Sequence, residues 1–400
     1  MSKPQLRLVR AEPAAISLTL SAAQLDAAAH RGTPLIITGA TGTGKTTTLI
    51  EAAVSRINGG QSPDSILLLT YGRERASELR DAIVTRAGKT AHEPLARTFH
   101  SLAYSILKMR TTDEIRDLVL LSGAEQETFI AQLLQGDIAK GYRDWPTDLH
   151  LTPESLGEPL ATQGFIRELR DLIMRANERA LTPKKLAERG KQLGEKYWPA
   201  AADFWQRYLG AMVLQEISAG DSKMRIDPSE IINSAHNYLD RNPELLAEVR
   251  KRFSTIIIDE FQESDPAQRN LLDLIAPNDL VIVADPASAV GRFRGADPEG
   301  VPAALDRYRE IGAREITLTE NFRGVPTTSA ALFASESEEA QYIAYQFKRA
   351  HLMQGVPYSQ MAVIVRSHGQ VASSIRRAFA QVGIPAAGDV EALANNAAIA

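Results

Sequence analysis

The chain contains no cysteine in 400 residues. That excludes disulfides, thiolate zinc sites, iron–sulfur clusters and cysteine nucleophiles, and it fits a reducing compartment. Long apolar runs are missing too, since none approaches the roughly 18 residues of a membrane span. The opening residues, MSKPQLRLVRAEP, lack the apolar centre of a signal peptide. A strongly basic balance is also absent: 45 Lys and Arg stand against 49 Asp and Glu, for a formal net charge of -4. Small nucleic-acid modules are often strongly basic, so this chain could hold a polyanion only through a local cleft. Together these absences predict a soluble, cytoplasmic protein without a membrane partner.

What is present is ample apolar content, 44% of the chain, enough for two or three domains with real cores. Short continuous apolar runs recur: Leu35-Ile36-Ile37, Ile66 to Leu69, Thr255 to Ile258, Leu280 to Val283, Ile316-Thr317-Leu318 and Met361 to Val365. Such runs read as parallel strands buried on both faces. Helical stretches separate several of them; after Lys45, the residues Leu49, Ala52, Ala53 and Ile57 share one helical face. The fold class is α/β, with ligands expected at the carboxyl ends of the strands.

Residues 111–228 differ, with no convincing strand and several amphipathic helices, among them FIRELRDLIMRANERA. The expected organisation is a first α/β domain over 1–110 and 229–320, interrupted by a helical insert at 111–228. A second unit is expected over 321–400. The final stretch, EALANNAAIA, has neither a clear cap nor an apolar strand, and reads as a chain cut in mid-domain.

Two motifs carry chemistry. Gly39-Ala40-Thr41-Gly42-Thr43-Gly44-Lys45-Thr46 matches GxxxxGK followed by Ser or Thr, between a strand and a helix. There the backbone N–H groups and the helix N-terminus wrap phosphates. Lys45 is expected to neutralise the β- and γ-phosphates, and the Thr46 hydroxyl to bind Mg²⁺, with Thr47 beside it. Ile256-Ile257-Ile258-Asp259-Glu260 supplies the second half of the site. Asp259 is expected to hold the metal, and Glu260 to orient and deprotonate the attacking water. Alone, an Asp-Glu pair after a strand is an ordinary solvated strand end; paired with the first motif it reads as catalytic. The expected cofactors are ATP and Mg²⁺.

The motifs in their order resemble the UvrD/Rep/PcrA branch of superfamily 1 helicases. The resemblance spans nearly the whole chain and implies P-loop, RecA-like parallel-sheet motor domains around a helical 1B-like insert. Leu20-Ser21-Ala22-Ala23-Gln24 resembles the Q motif, which implies that Gln24 reads the adenine edge. Thr70-Tyr71-Gly72-Arg73 sits where the family has TFTN, and Thr98-Phe99-His100-Ser101 is the family's TFHS unchanged. Both imply contact with single-stranded DNA. Asp259 to Ser264 resembles DEYQDT, and Leu318 to Arg323 resembles LxxNYR. The latter implies that Phe322 stacks on adenine and that Arg323 reaches the γ-phosphate. Stacking platforms and phosphate contacts give a sequence-tolerant grip on single strands. Thr70, Tyr71, Arg73, Thr98, His100, Phe293 and Arg294 are the DNA candidates, with Arg292 a further phosphate candidate. Phe99 reads better as a core aromatic, and Arg167, Arg170, Arg175 and Arg179 read as a solvated helix face.

One segment departs from the pattern. Where the family runs roughly GDDDQSIYRFRGA, this chain has Ala284 to Ala296, ADPASAVGRFRGA. Ser288 stands at the position of the glutamine that senses the γ-phosphate, and Gly291 at that of the stacking tyrosine. The expectation is a largely intact ATP site joined to its DNA track by a weakened coupler. The family's motifs V and VI are expected beyond residue 400. The weakened segment with DEFQES and RFRGADPEG most resembles one subunit of the heterodimeric AdnAB-type helicase–nucleases. That resemblance implies an AdnB-like second subunit, DNA ends as a partner, 3′-to-5′ movement and a nucleoid-associated location.

Overall fold

The computed structural model describes residues 19–89, 92, 95–109, 117–141, 145–146, 158–219, 223–324 and 328–386. The chain divides into two compact units, residues 1–324 and 325–400.

The first unit is built on a fully parallel sheet. Its strands are β1 (Leu35–Gly39), β2 (Ile66–Thr70), β3 (Ala96–Thr98), β6 (Thr255–Ile258), β7 (Asp279–Ala284) and β8 (Arg314–Leu318), in the spatial order β3-β2-β6-β7-β1-β8. The continuous apolar runs reflect cover on both faces. Ile36, Leu67, Leu69, Ile256, Ile258, Leu280 and Ile282 enter one core, and Leu35, Ile37, Ile66, Leu68, Ile257, Val281 and Val283 enter the other. This is the two-residue alternation of a strand applied to a two-sided sheet. Register keeps the faces aligned, with Leu35 beside Val281 and Ile37 beside Val283. At the edge, β8 buries only Ile316 and Leu318, so its expected two-sided burial is half realised.

The second face is covered by α1 (Ala22–Ala29), α2 (Lys45–Asn58) and α3 (Arg73–Ala87); the predicted stripe Leu49, Ala52, Ala53 and Ile57 of α2 is buried. The first face carries α4 (Phe99–Lys108) and helices that follow the insert. Within the insert come α5 (Gly123–Ala139), α6 (Glu158–Ala161), α7 (Gln163–Glu178), α8 (Pro183–Leu193) and α9 (Tyr197–Ala219). They enclose a separate core of Ile130, Leu134, Ile166, Leu169, Phe204, Trp205 and Tyr208. After it, α10 (Ile231–Arg241), α11 (Pro243–Arg252), α12 (Pro266–Ile275) and α13 (Val301–Glu310) complete the first face.

The expectation that 111–228 holds no strand is corrected. β4 (Asp117–Leu120) pairs in parallel with β5 (Lys223–Ile226), so the insert leaves and rejoins the motor through a two-stranded ribbon. Leu118 and Ile226 of this ribbon pack into the motor core. Two four-residue strands about a hundred positions apart leave no local signal, because only their pairing makes them strands.

The second unit holds α14 (Glu336–Gln354) and α15 (His368–Gln381), which share a small core of Ala340, Ala344, Ile375, Ala378 and Phe379. Met361 to Val365, expected as a strand, makes no ladder among the described residues. Val363 and Val365 pack against the helical core, so the apolar alternation is real. Among the described residues no neighbouring strand bonds it. The stretch 391–400 lies outside the described residues.

Candidate nucleotide site and nucleic-acid groove

A cleft of about 540 Å³ opens at the carboxyl ends of β1, β6 and β7. Gln24, Thr41, Gly42, Gly44, Lys45, Thr46 and Thr47 form one wall, Asp259, Glu260, Gln262 and Ser288 another, and Phe322 and Arg323 a third. The N-terminus of α2 opens into it, with Gly44 as the helix cap at φ 79°. A Cβ at Gly44 would come within 2.3 Å of the Gln24 side-chain nitrogen, so only glycine allows the loop and Gln24 to close together. Gln24 is buried and already engaged at both ends of its amide. Its Oε1 accepts from the Ser21 N–H at 2.9 Å, and its Nε2 donates to the Thr43 carbonyl at 3.3 Å.

Lys45 is held into the cleft. Its Nζ donates to the Gly39 and Ala40 carbonyls at 2.7 and 3.0 Å and to Asp285 Oδ2 at 2.9 Å. Thr43 is buried, and its hydroxyl ties the loop by donating to the Ala40 carbonyl at 2.8 Å. The segment after β8 is fastened to the same loop: Phe322 N–H donates to the Gly42 carbonyl at 2.9 Å, and Asn321 reaches the Thr41 carbonyl at 3.4 Å. Phe322 remains half exposed, and Arg323 lines the cleft beside it. Both fall in the first unit, whose boundary follows Gly324.

Asp259 is buried at the end of β6; burial pushes its carboxyl up, and the Arg75 guanidinium pulls against that. Glu260 sits at φ 54°, ψ 44°, a left-handed conformation that a glutamate seldom adopts. Such strain costs about 1–3 kcal/mol and concentrates at functional sites. Desolvation, then the neighbouring Asp259 charge, raises the Glu260 carboxyl above its ordinary range, which suits a proton acceptor working near neutral pH. Thr46 Oγ1 and Asp259 Oδ2 converge on one cation, the guanidinium of Arg75, at 2.8 and 3.0 Å from its Nη2. Two hard oxygens around one positive centre are the donor set that Mg²⁺ takes beside phosphate oxygens, so the residues fit that ion. No motif marks Arg75 in the sequence.

The departing segment is rebuilt from its neighbours. Ser288 lines the cleft, and its Oγ lies 3.5 Å from Gln262 Nε2, while Gln262 Oε1 accepts from the Asp285 N–H at 2.9 Å. Glu263 accepts from the N–H groups of Val290 and Gly291 at 2.8 and 2.7 Å, which holds the 3₁₀ turn Gly291–Arg294. A Cβ at Gly291 would lie 2.2 Å from that carboxylate. The space a side chain would occupy is filled by Glu263.

A second groove, of about 800 Å³, is lined by Tyr71, Arg73, Arg80, Arg97, Thr98, His100 and Tyr104. Tyr71 stacks on Phe99 at 5.5 Å, and Phe99 is core, as the sequence reading had it. Thr98 caps α4 by accepting from the Ser101 N–H at 3.2 Å. His100 lines the groove with part of its surface open to solvent; desolvation by the groove walls, then the charge of Arg73, lowers its pKa below the ordinary imidazole value. Thr70, expected to touch DNA, is fully buried at the end of β2, and this expectation is corrected. Phe293 and Arg294 do not line the groove; they stand exposed on the 3₁₀ turn, with the Arg294 guanidinium 5.0 Å from the Phe293 ring centre. Arg292 pairs with Glu299.

Of the insert arginines, Arg167 stays on the expected solvated face, while the expectation for Arg175 and Arg179 is corrected. Arg175 donates to the Phe293 carbonyl, Arg179 pairs with Asp297, and Arg170 and Arg167 pair with Glu127. The end of α7 therefore clasps the turn that carries Phe293. Helix spacing could not reveal this, because the partners lie about 118 positions away.

The model of the UvrD/REP helicase N-terminal domain matches residues 20–309. The chain is 23% identical to the ATP-dependent DNA helicase PcrA of Staphylococcus epidermidis over 406 residues, covering 93% of this chain and 51% of that protein. It is 25% identical to DNA helicase II of Escherichia coli over 309 residues, covering 76% and 38% of the two chains. It is also 25% identical to a probable DNA helicase of Mycoplasma pneumoniae over 378 residues, covering 84% and 65%. The chain spans about half the length of the curated relatives it matches first. With that match over most of its length, and the P-loop, Asp259-Glu260 and LTENFR segments meeting in one cleft, the chain belongs to the UvrD/REP helicase family.

Proposed function

We propose that this chain is the N-terminal motor part of an ATP-dependent, single-stranded DNA translocase of 3′-to-5′ polarity. The carrying observation is the convergence of Lys45, Thr46, Asp259, Glu260, Phe322 and Arg323 on one cleft. Bound there, Mg²⁺–ATP would supply the electrophilic phosphoryl group and its charge neutralisation. Thr46 and Asp259 would hold the metal, Lys45 would meet the phosphate oxygens, and Phe322 would cover the base. Glu260 would take the proton from the attacking water, helped by its raised pKa. Arg323 would steady charge on the γ-phosphate. Tyr71, Arg73, Thr98 and His100 would contact the strand in the groove, and Phe293 and Arg294 would add a stacking ring and a phosphate contact on their turn.

The finer reading is a subunit of a heterodimeric AdnAB-type helicase–nuclease that resects double-strand breaks for recombinational repair. Its exonuclease domain and AdnB-like partner would lie outside this chain. Ser288 and Gly291 in the coupling segment support it. The match to PcrA over 93% of the chain favours a second reading, a repair helicase that acts as a monomer. DNA-stimulated ATPase of the intact protein, alone and with its partner, tests both. Lys45→Ala is expected to lower hydrolysis by at least about 100-fold, the scale of losing a preorganised charge on the reacting group. Full activity without a partner would establish the monomeric reading, and retained ATPase in Lys45→Ala would remove the site assignment.

A further inference from the structure

Arg75 lies on the first turn of α3, yet its side chain reaches across to the nucleotide cleft. Its Nη2 donates to Thr46 Oγ1 at 2.8 Å and to Asp259 Oδ2 at 3.0 Å, and its Nε donates to the same Asp259 oxygen at 3.2 Å. A guanidinium is charged at every accessible pH and presents its donors as a rigid fork. Mg²⁺ demands bare oxygens at 2.0–2.1 Å in near-octahedral order. The fork and the ion therefore claim the same two oxygens and repel each other. A resting place for the displaced side chain is already built: Glu78, one turn along α3, lies 3.3 Å from Arg75 Nη1 and is largely exposed.

We propose that Arg75 is a built-in competitor of the divalent cation: it holds Thr46 and Asp259, and it must swing toward Glu78 before the metal that accompanies a nucleotide can take those oxygens. The inference rests on the nucleotide-site reading above. It gives the protein a threshold in divalent cation that the two ligands alone would not set. The fork also keeps the buried Asp259 neutralised whenever no metal does so.

The test is a Mg²⁺ titration of the intact protein at fixed, sub-saturating fluorescent ADP, read as the Mg²⁺ concentration at half-maximal nucleotide binding. Arg75→Ala is expected to lower that midpoint roughly ten-fold, within the usual range for two mutually exclusive ligands. Glu78→Gln is expected to raise it, because the displaced guanidinium loses its partner. Should Arg75→Ala fail to fold, Arg75→Lys keeps the charge, loses the two-oxygen fork and should still lower the midpoint. An unchanged or raised midpoint in a folded Arg75 variant, with wild type responding to Mg²⁺, overturns this inference and leaves the nucleotide site standing. Wild-type protein that takes up no nucleotide at any Mg²⁺ concentration overturns both.

Discussion

Glu263 and Gly291 claim one volume, and the chain gives it to the carboxylate. The two backbone N–H groups that Glu263 accepts from fasten the turn carrying Phe293 and Arg294 to the segment that carries Asp259 and Glu260. A methyl group at Gly291 would push the Glu263 carboxylate off the two N–H groups it now accepts from. Gly291→Ala is expected to cost about 1–3 kcal/mol by overpacking. In a Glu263→Ala background the same change should cost much less, and a urea double-mutant cycle measures the difference. At Ser288, whose short hydroxyl cannot span what an amide spans, Ser288→Gln is expected to raise DNA stimulation of the ATPase at least about five-fold if coupling is limited there. An unchanged ratio of stimulated to basal rate would mean that Gln262 and Glu263 already carry the link.

Between elements, a buried ion pair pins α2 to β7. Arg56 is fully enclosed and donates to Asp279 through Nε at 2.9 Å and Nη2 at 2.6 Å. Burial alone would raise the Asp279 carboxyl, but the bonds from Arg56, with Thr255 adding to them, outweigh it and hold it below its ordinary value. Asp137, bonded to Arg207 and Trp145, and Asp297, bonded to Arg179 and Arg269, shift the same way, again against burial. A depressed folded value means that the unfolded chain binds more protons as acid is added. The stabilisation is therefore present above the unfolded value of about 3.9 and is lost as pH falls through the folded one. Asp279→Asn is expected to cost about 3–5 kcal/mol at neutral pH, since it strands a buried guanidinium. The variant should also lose less stability on acidification than wild type does, measured by urea unfolding at pH 7 and pH 3.5. The β4–β5 ribbon is a second inter-element feature, and it joins the insert to the motor through four paired residues per strand.

At the scale of the molecule, every residue of the nucleotide cleft belongs to the first unit. A fragment of residues 1–324 is expected to fold and to bind fluorescent ADP within about two-fold of the intact chain, because this unit contains both cores of the sheet, the insert core and every residue that lines the cleft in this chain. The second unit, whose described residues share only a small helical core, is expected to melt separately and at lower temperature. Calorimetry of the intact chain and of the fragment checks both. The insert is joined to the motor by more than its ribbon, since α7 clasps the turn after β7 through Arg175 and Arg179. Replacing both with alanine should speed amide exchange across residues 291–297 while leaving the insert core protected.

The sequence by itself determined the α/β class, the P-loop with its helix, the Asp259-Glu260 strand end and the core role of Phe99. Each is a short-range pattern: a continuous apolar run, a glycine spacing, an apolar helix face. Tertiary structure alone decided what depends on partners far along the chain. It buried Thr70, which the motif had placed on the DNA. It paired β4 with β5, packed Val363 and Val365 against a helical core, and turned Arg175 and Arg179 from a solvated face into a clasp. It also brought Arg75 onto Thr46 Oγ1 and Asp259 Oδ2 and set the Glu263 carboxylate beside Gly291. Local spacing encodes which face a residue shows, and only the folded chain decides what stands opposite it.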